Sequence, residues 1–227
     1  GGLAASTGFM CVGSPYSMRR CCDARRGRGS PTICRCWRGW RGWRRRLVVT
    51  IAPFRSGHQV TLLENGAAFF PALIAAIDRA QVEFWLETYI FEVDEVGSAV
   101  IAALVRAAQR GVMVRLLVDG FGSLEFVRDH AERLRAAGVA VQVYRPLASG
   151  GRWWRPNRMR RLHRKLACRD GVEAFVGGIN IVSDFRRQPE PNPRYPRWDF
   201  AVRLEGPVAA EVRAAMARLW RLVAWAS

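Results

Sequence analysis

From Gln59 onward the apolar positions fall into two alternating patterns. Val60 to Leu63 is a short extended run, after which Phe69, Phe70, Leu73, Ile74 and Ile77 recur at spacings of three and four and predict a helix opening at Asn65 or Gly66. Val82 to Phe91 is dense in aromatic and β-branched residues and predicts a strand. Gly97 to Arg110 follows as an alanine-rich helix ended by Gly111, and Val112 to Val118 is a near-continuous apolar strand of the kind buried on both faces. Asp119 to Ser123 forms a turn at the carboxyl end of that strand, where open α/β sheets tend to bind ligands. A helix over 124–137, Gly138 and a strand from Val139 to Tyr144 complete another unit. Strands alternating with helices predict an α/β domain with a mixed, mostly parallel sheet flanked by helices.

The pattern then breaks. Arg145 to Arg161 is a loop in which Arg152, Arg155, Arg158, Arg160 and Arg161 are interleaved with Trp153 and Trp154. Such a mixture suits a phosphate-bearing, partly apolar partner; a solvated loop is the competing reading. An extended stretch around His163 turns at Asp170-Gly171 and returns as a strand from Val172 to Val176. Ser183 to Arg197 is a proline-rich loop, Trp198 to Glu205 a strand, and Pro207 to Trp225 an amphipathic helix with Pro207 as its first residue.

Residues 1–57 show neither period. They mix Gly, Arg, Cys and Trp, which predicts a disordered basic tail ahead of a single domain over 58–227. The tail reads either as a segment that binds anionic lipid or nucleic acid or as an extension of little structural consequence. It also holds much of the charge. The formal net charge is +17, but twelve arginines against Asp23 in the tail leave +6 for residues 58–227. A nucleic-acid-like charge is therefore mostly a property of the tail.

Five of the six cysteines lie in the tail, at spacings that match no zinc site and set up no disulfide framework; only Cys168 belongs to the domain. No run reaches the roughly 18 apolar residues needed to span a bilayer. Gly1 to Val12 lacks the basic start of a signal peptide. These features predict a cytoplasmic protein that works at a membrane surface.

Lys165 is the only lysine beside 35 arginines. It stands two residues after His163 and five before Asp170, a combination that chance would place around a given lysine roughly once in 2,000 trials. In an extended strand, side chains two apart share a face, so His163 and Lys165 would project into one site. A reactive imidazole, a compact ammonium and, beyond the hairpin, Asn180 as a hydrogen-bond donor form a constellation suited to phosphate chemistry.

His163-x-Lys165-x4-Asp170, with Gly177-Gly178-x-Asn180 behind it, resembles the HKD signature of the phospholipase D superfamily. Trp85 to Phe91, Val118 to Ser123, and Trp198-Asp199 leading to Arg203-Leu204-Glu205-Gly206-Pro207 resemble the first half of bacterial cardiolipin synthases. The resemblance covers about residues 58–226. It implies a phospholipase D-like sandwich and a phosphatidyltransferase that needs no cofactor or metal. His163 would be the nucleophile; Lys165 and Asn180 would hold the phosphate oxygens; Asp199 would hydrogen-bond the other imidazole nitrogen; Asp170 would close the hairpin beneath the site. Gly178, Arg152, Trp154 and Arg161 are the candidate substrate-binding residues. The partners implied are phosphatidylglycerol and the inner membrane surface.

The family uses two HKD motifs and this sequence holds one. The resemblance therefore implies either a homodimer or a second HKD half, and an isolated half that exposes apolar surface. The alternatives are a homodimeric phosphodiesterase or nuclease of the same superfamily, with nucleic acid the less favoured partner, or a half that binds anionic lipid without turnover.

Overall fold

The computed structural model describes residues 56–147, 160–186 and 195–226. The expectations for the basic tail and for Arg152 and Trp154 lie outside the described residues. Within them run β1 (Gln59–Glu64), α1 (Asn65–Arg79), β2 (Glu83–Thr88), α2 (Glu95–Gln109), β3 (Met113–Asp119), α3 (Leu124–Asp129), α4 (Ala131–Ala136), β4 (Ala140–Tyr144), β5 (Leu166–Arg169), β6 (Glu173–Gly177), β7 (Phe200–Glu205) and α5 (Val208–Ala226).

The seven strands form one mixed sheet in the order β1-β7-β6-β5-β2-β3-β4. Parallel pairing is confined to β2–β3 and β3–β4, the strands that α2 and the α3–α4 pair connect. The other four pairings are antiparallel. The α/β, mixed-sheet expectation holds, but the parallel share is smaller than alternation implied. The Asp170-Gly171 turn joins β5 to β6 as a hairpin, and β7 and β1 extend the antiparallel half. The helix expected over 124–137 divides at His130, whose backbone is no longer helical.

Two apolar layers sandwich the sheet. On one face Phe69, Leu73 and Ile77 of α1, Val100 and Leu104 of α2, and Phe126 and Leu134 of α3 and α4 pack against Phe84, Leu86, Leu116 and Phe175. On the other, α5 covers Trp85, Cys168 and Ala174 through Ala209 and Met216. β2 lies between both layers and every one of its residues is buried, including Glu83 and Glu87. Buried carboxylates are costly unless paired, and each meets arginine: Arg115 and Arg213 at Glu83, Arg164 at Glu87.

Candidate active site

The site is built where the chain enters β5. Asp119, fully buried at the end of β3, accepts hydrogen bonds from Phe121 N (2.8 Å) and Gly122 N (3.1 Å) through Oδ1 and from Leu162 N (2.8 Å) through Oδ2. It thereby ties the expected ligand-end turn to the start of the His163 segment. From there the side chains alternate. Leu162 packs with Leu117 and Val223, Arg164 reaches Glu87, and Leu166 packs beneath α5. His163 and Lys165 turn the other way, with Ala167 of the opposite core layer.

His163 and Lys165 converge on one ring. The His163 imidazole is exposed, and its centroid lies 5.4 Å from that of Tyr89. Lys165 Nζ sits 5.3 Å over the same ring and donates to the His163 carbonyl oxygen at 3.2 Å. Lys165 is only 8% exposed. Burial lowers its pKa from the ordinary lysine value, while the negative charge of Asp199 acts to raise it.

Asn180 stands at the same end of the sheet. Its Oδ1 accepts from Ile90 N at 3.0 Å, and the next residue, Ile181, pairs with Phe91. With the amide oxygen engaged by backbone, the NH2 group is the end left to donate to a ligand.

Asp199 is held by a reciprocal pair: Asn65 N donates to the Asp199 carbonyl at 2.8 Å, and Asp199 N donates to Asn65 Oδ1 at 3.0 Å. Asn65 takes a left-handed backbone, φ 56°, to do this. Asp199 Oδ1 accepts from Phe200 N at 2.8 Å and rests against Gly178, where an added Cβ would lie 2.1 Å from that oxygen. Gly178 thus reserves space for a carboxylate rather than needing an unusual φ. Among the described residues the His163 ring makes no hydrogen bond with Asp199. The charge of the carboxylate acts on Lys165. A second carboxyl, Asp184, accepts from Gly66 N at 2.7 Å at the start of α1. Burial raises its pKa above the ordinary aspartate value, and the charge of Asp199 adds to this.

The remaining candidates separate. Asp170 lies at the far end of β5, five extended residues or about 16 Å along the chain from Lys165, beyond reach of any group bound at His163. It accepts from Gln81 N (3.1 Å), Val82 N (2.9 Å) and Glu83 N (2.8 Å), and its φ is 51°. Burial acts to raise its pKa, but these donors outweigh it and hold the carboxyl below the ordinary range. It is a turn residue that docks the hairpin on β2. Arg161 shares the His163 side of the chain but is engaged within the fold, 3.9 Å from Asp119 and stacked 4.9 Å over Phe121.

Sequence reasoning missed Tyr89, Glu87 and Asp119 as site residues. Tyr89 follows the buried strand β2, and its position at the carboxyl end of that strand was the available signal. Cys168 is buried beneath α5 and its thiol is pushed up to about 11 by burial, which removes it from nucleophilic chemistry. No helix among the described residues is long and apolar enough to cross a membrane.

An exposed imidazole beside a buried ammonium and a fixed carboxamide is a set of groups chemically able to hold and attack a phosphoryl group. Residues 73–220 match the family described as cardiolipin synthase, PLD-like domain. Cardiolipin synthase B of Salmonella typhi is 44% identical over 161 residues, covering 70% of this chain and 38% of that protein. Cardiolipin synthase 1 of Bacillus cereus is 31% identical over 160 residues, 70% of this chain and 30% of that protein. The chain thus spans well under half the length of these relatives. Among solved structures, NucT from Helicobacter pylori superposes with a TM-score of 0.50 at 15% identity, covering 73% of this chain and 97% of that one, a likeness of fold alone. With the family model matched across most of the α/β domain, the chain belongs to the cardiolipin synthase family of phospholipase D-like proteins.

Proposed function

We propose that the chain is one catalytic half of a phosphatidyltransferase that moves a phosphatidyl group between phosphatidylglycerol molecules through a phosphohistidine on His163. The convergence of exposed His163 and buried Lys165 on the Tyr89 ring carries this reading. An imidazole nitrogen attacks phosphorus, forming an N–P bond as the P–O bond to the glycerol headgroup breaks. The leaving oxygen takes a proton from a second histidine. A hydroxyl of another phosphatidylglycerol then attacks, giving up its proton to that histidine; the new P–O bond forms and the N–P bond breaks, yielding cardiolipin. Lys165 Nζ and the Asn180 NH2 stabilise the charge on the phosphoryl oxygens. Asp199 supports the positive charge of the site through Lys165.

The second histidine belongs to a partner, either another copy or a second HKD half. Exposed apolar side chains on the α5 side of the sheet support a partner: Val60 and Leu62 of β1 and Phe200 of β7, with Trp198, which is 75% exposed, next to Asp199. An exposed apolar area on an edge strand suits a protein partner. The isolated monomer is then inactive, and a phosphatidylglycerol-binding half is what remains.

The test is to incubate the purified chain with phosphatidylglycerol vesicles, quench, and look by mass spectrometry for an acid-labile adduct on His163, alongside light scattering and a cardiolipin assay. An adduct absent from His163→Ala supports the reading. Turnover that survives His163→Ala, or full activity from a clean monomer, rejects it. Faster turnover of DNA than of phosphatidylglycerol would assign the chain to phosphodiester cleavage instead.

A further inference from the structure

The α5 side of the sheet carries a concave feature that the His163 chemistry does not use. Trp85, Trp220, Arg115, Arg213, Arg221 and Ala214 are among the residues lining an open cavity of about 390 Å3. His163 and Lys165 turn to the other side of their strand, so this is a separate place.

Its floor is aromatic. Trp85 and Trp220 meet edge to face at 5.9 Å, and the Arg115 guanidinium lies 4.5 Å over the Trp85 ring. Beneath them the buried Glu83 carboxylate accepts from Arg213 Nε at 2.6 Å and from Arg115 at 3.3 Å. That bond orients Arg213 through Nε and leaves its two Nη groups with no hydrogen bond to a described residue. Arg221 has neither hydrogen bond nor ion pair among the described residues. Three guanidiniums face one carboxylate, so the cavity keeps two positive charges.

The volume falls in the lower part of the roughly 300–1,000 Å3 range of ligand clefts. Guanidinium forks carried on aromatic faces are suited to phosphate oxygens rather than to a simple cation or an apolar ligand. On α5, one and four residues past Arg221, stand exposed Leu222 and Trp225, the latter 89% exposed. An exposed tryptophan one helical turn past Arg221 of an arginine-lined cavity matches a phosphate group that sits at the edge of a lipid layer.

We infer that this cavity is a second anionic site that takes the phosphate of a phospholipid headgroup and holds the domain on a lipid surface. It goes beyond turnover at His163 and does not depend on it.

The experiment is sedimentation of the full chain with vesicles of phosphatidylglycerol and phosphatidylcholine, against phosphatidylcholine alone. Arg221→Gln removes an unpaired charge, and Ala214→Trp fills the cavity from an exposed position of α5. Each is expected to weaken binding to the phosphatidylglycerol vesicles about fivefold, the contribution of one surface arginine near an anionic membrane. Arg128→Gln, on exposed α3, should bind as the parent chain does. Equal binding by Arg221→Gln and Ala214→Trp, or an equal loss with Arg128→Gln, overturns the site. Titration with inorganic phosphate, followed by tryptophan fluorescence, separates the sources. No saturable change supports the lipid headgroup, and a saturable change lost in Arg221→Gln overturns the lipid assignment in favour of free phosphate.

Discussion

The Arg164 guanidinium lies 2.6 Å from the buried Glu87 carboxylate, directly between the two residues that would meet phosphate. Because side chains alternate along the segment, pinning Arg164 on the α5 side turns His163 and Lys165 toward Tyr89 together. Arg164 also donates to the Ala215 carbonyl of α5 at 3.5 Å. The pair is a positioning device set into an inner strand of the sheet.

Glu87 titrates in a useful range. Burial raises its carboxyl to about 7 from the ordinary 4.5, with Arg164, itself partly solvated, offsetting only part of the cost. Between those values the folded state holds a proton that the unfolded chain has released. Stability on this account is therefore greatest below the unfolded value and falls as pH rises toward 7, by about 3 kcal/mol across the window. Glu87→Gln keeps the shape and removes the titration. Urea midpoints at pH 5 and pH 8 should differ less in Glu87→Gln than in the parent chain; an unchanged difference would show that Glu87 is not the group involved.

The single lysine is expected to resist replacement by arginine. Lys165 occupies a slot closed by Tyr89 and the His163 carbonyl, and a guanidinium is too broad for it without moving the ring. Lys165→Arg should slow phosphohistidine formation about 100-fold or more, the scale for losing one donor to a developing anionic oxygen. Near-normal adduct formation in Lys165→Arg would remove Lys165 from that role.

Much of the domain was legible because its signals are local. The periodicity of Phe69, Phe70, Leu73 and Ile77 and the apolar run Val112 to Val118 yield α1 and β3 directly. The spacing of His163 and Lys165 needed only strand alternation to become a shared face. What escaped was set by long-range pairing. Nothing near Glu87 in sequence announces Arg164, 77 residues later. Asp170 was read by its neighbours in a motif, whereas its partners are three backbone groups at 81–83 across the sheet. The antiparallel half was hidden for the same reason: alternation reveals the strands, not which neighbour each one chooses.

Asp170 should matter to folding and not to phosphate. Asp170→Ala loses three N–H partners and a residue type that tolerates positive φ, for a cost of about 2–3 kcal/mol with partly exposed donors. Its lowered pKa places its stabilisation above the unfolded value near 3.8, and that stabilisation is lost as pH falls through the folded value. The urea midpoint should drop in Asp170→Ala while the folded fraction still forms the His163 adduct. A variant of full stability that forms no adduct would return Asp170 to the chemistry.

Gly178 and Asp199 should behave as one unit. A methyl at 178 would fall 2.1 Å from Asp199 Oδ1, so Gly178→Ala must push the carboxylate away, and Asp199→Asn removes its charge outright. Either change deprives Lys165 of the negative charge that holds its pKa up against burial. Since Lys165 is the only lysine, selective isotope labelling gives one side-chain NMR signal whose titration can be followed without assignment. Both single variants should move that titration to lower pH. The double variant should move it no further than Asp199→Asn alone, because the charge can be lost only once. Additive shifts would mean that Gly178 acts on Lys165 by a route other than Asp199.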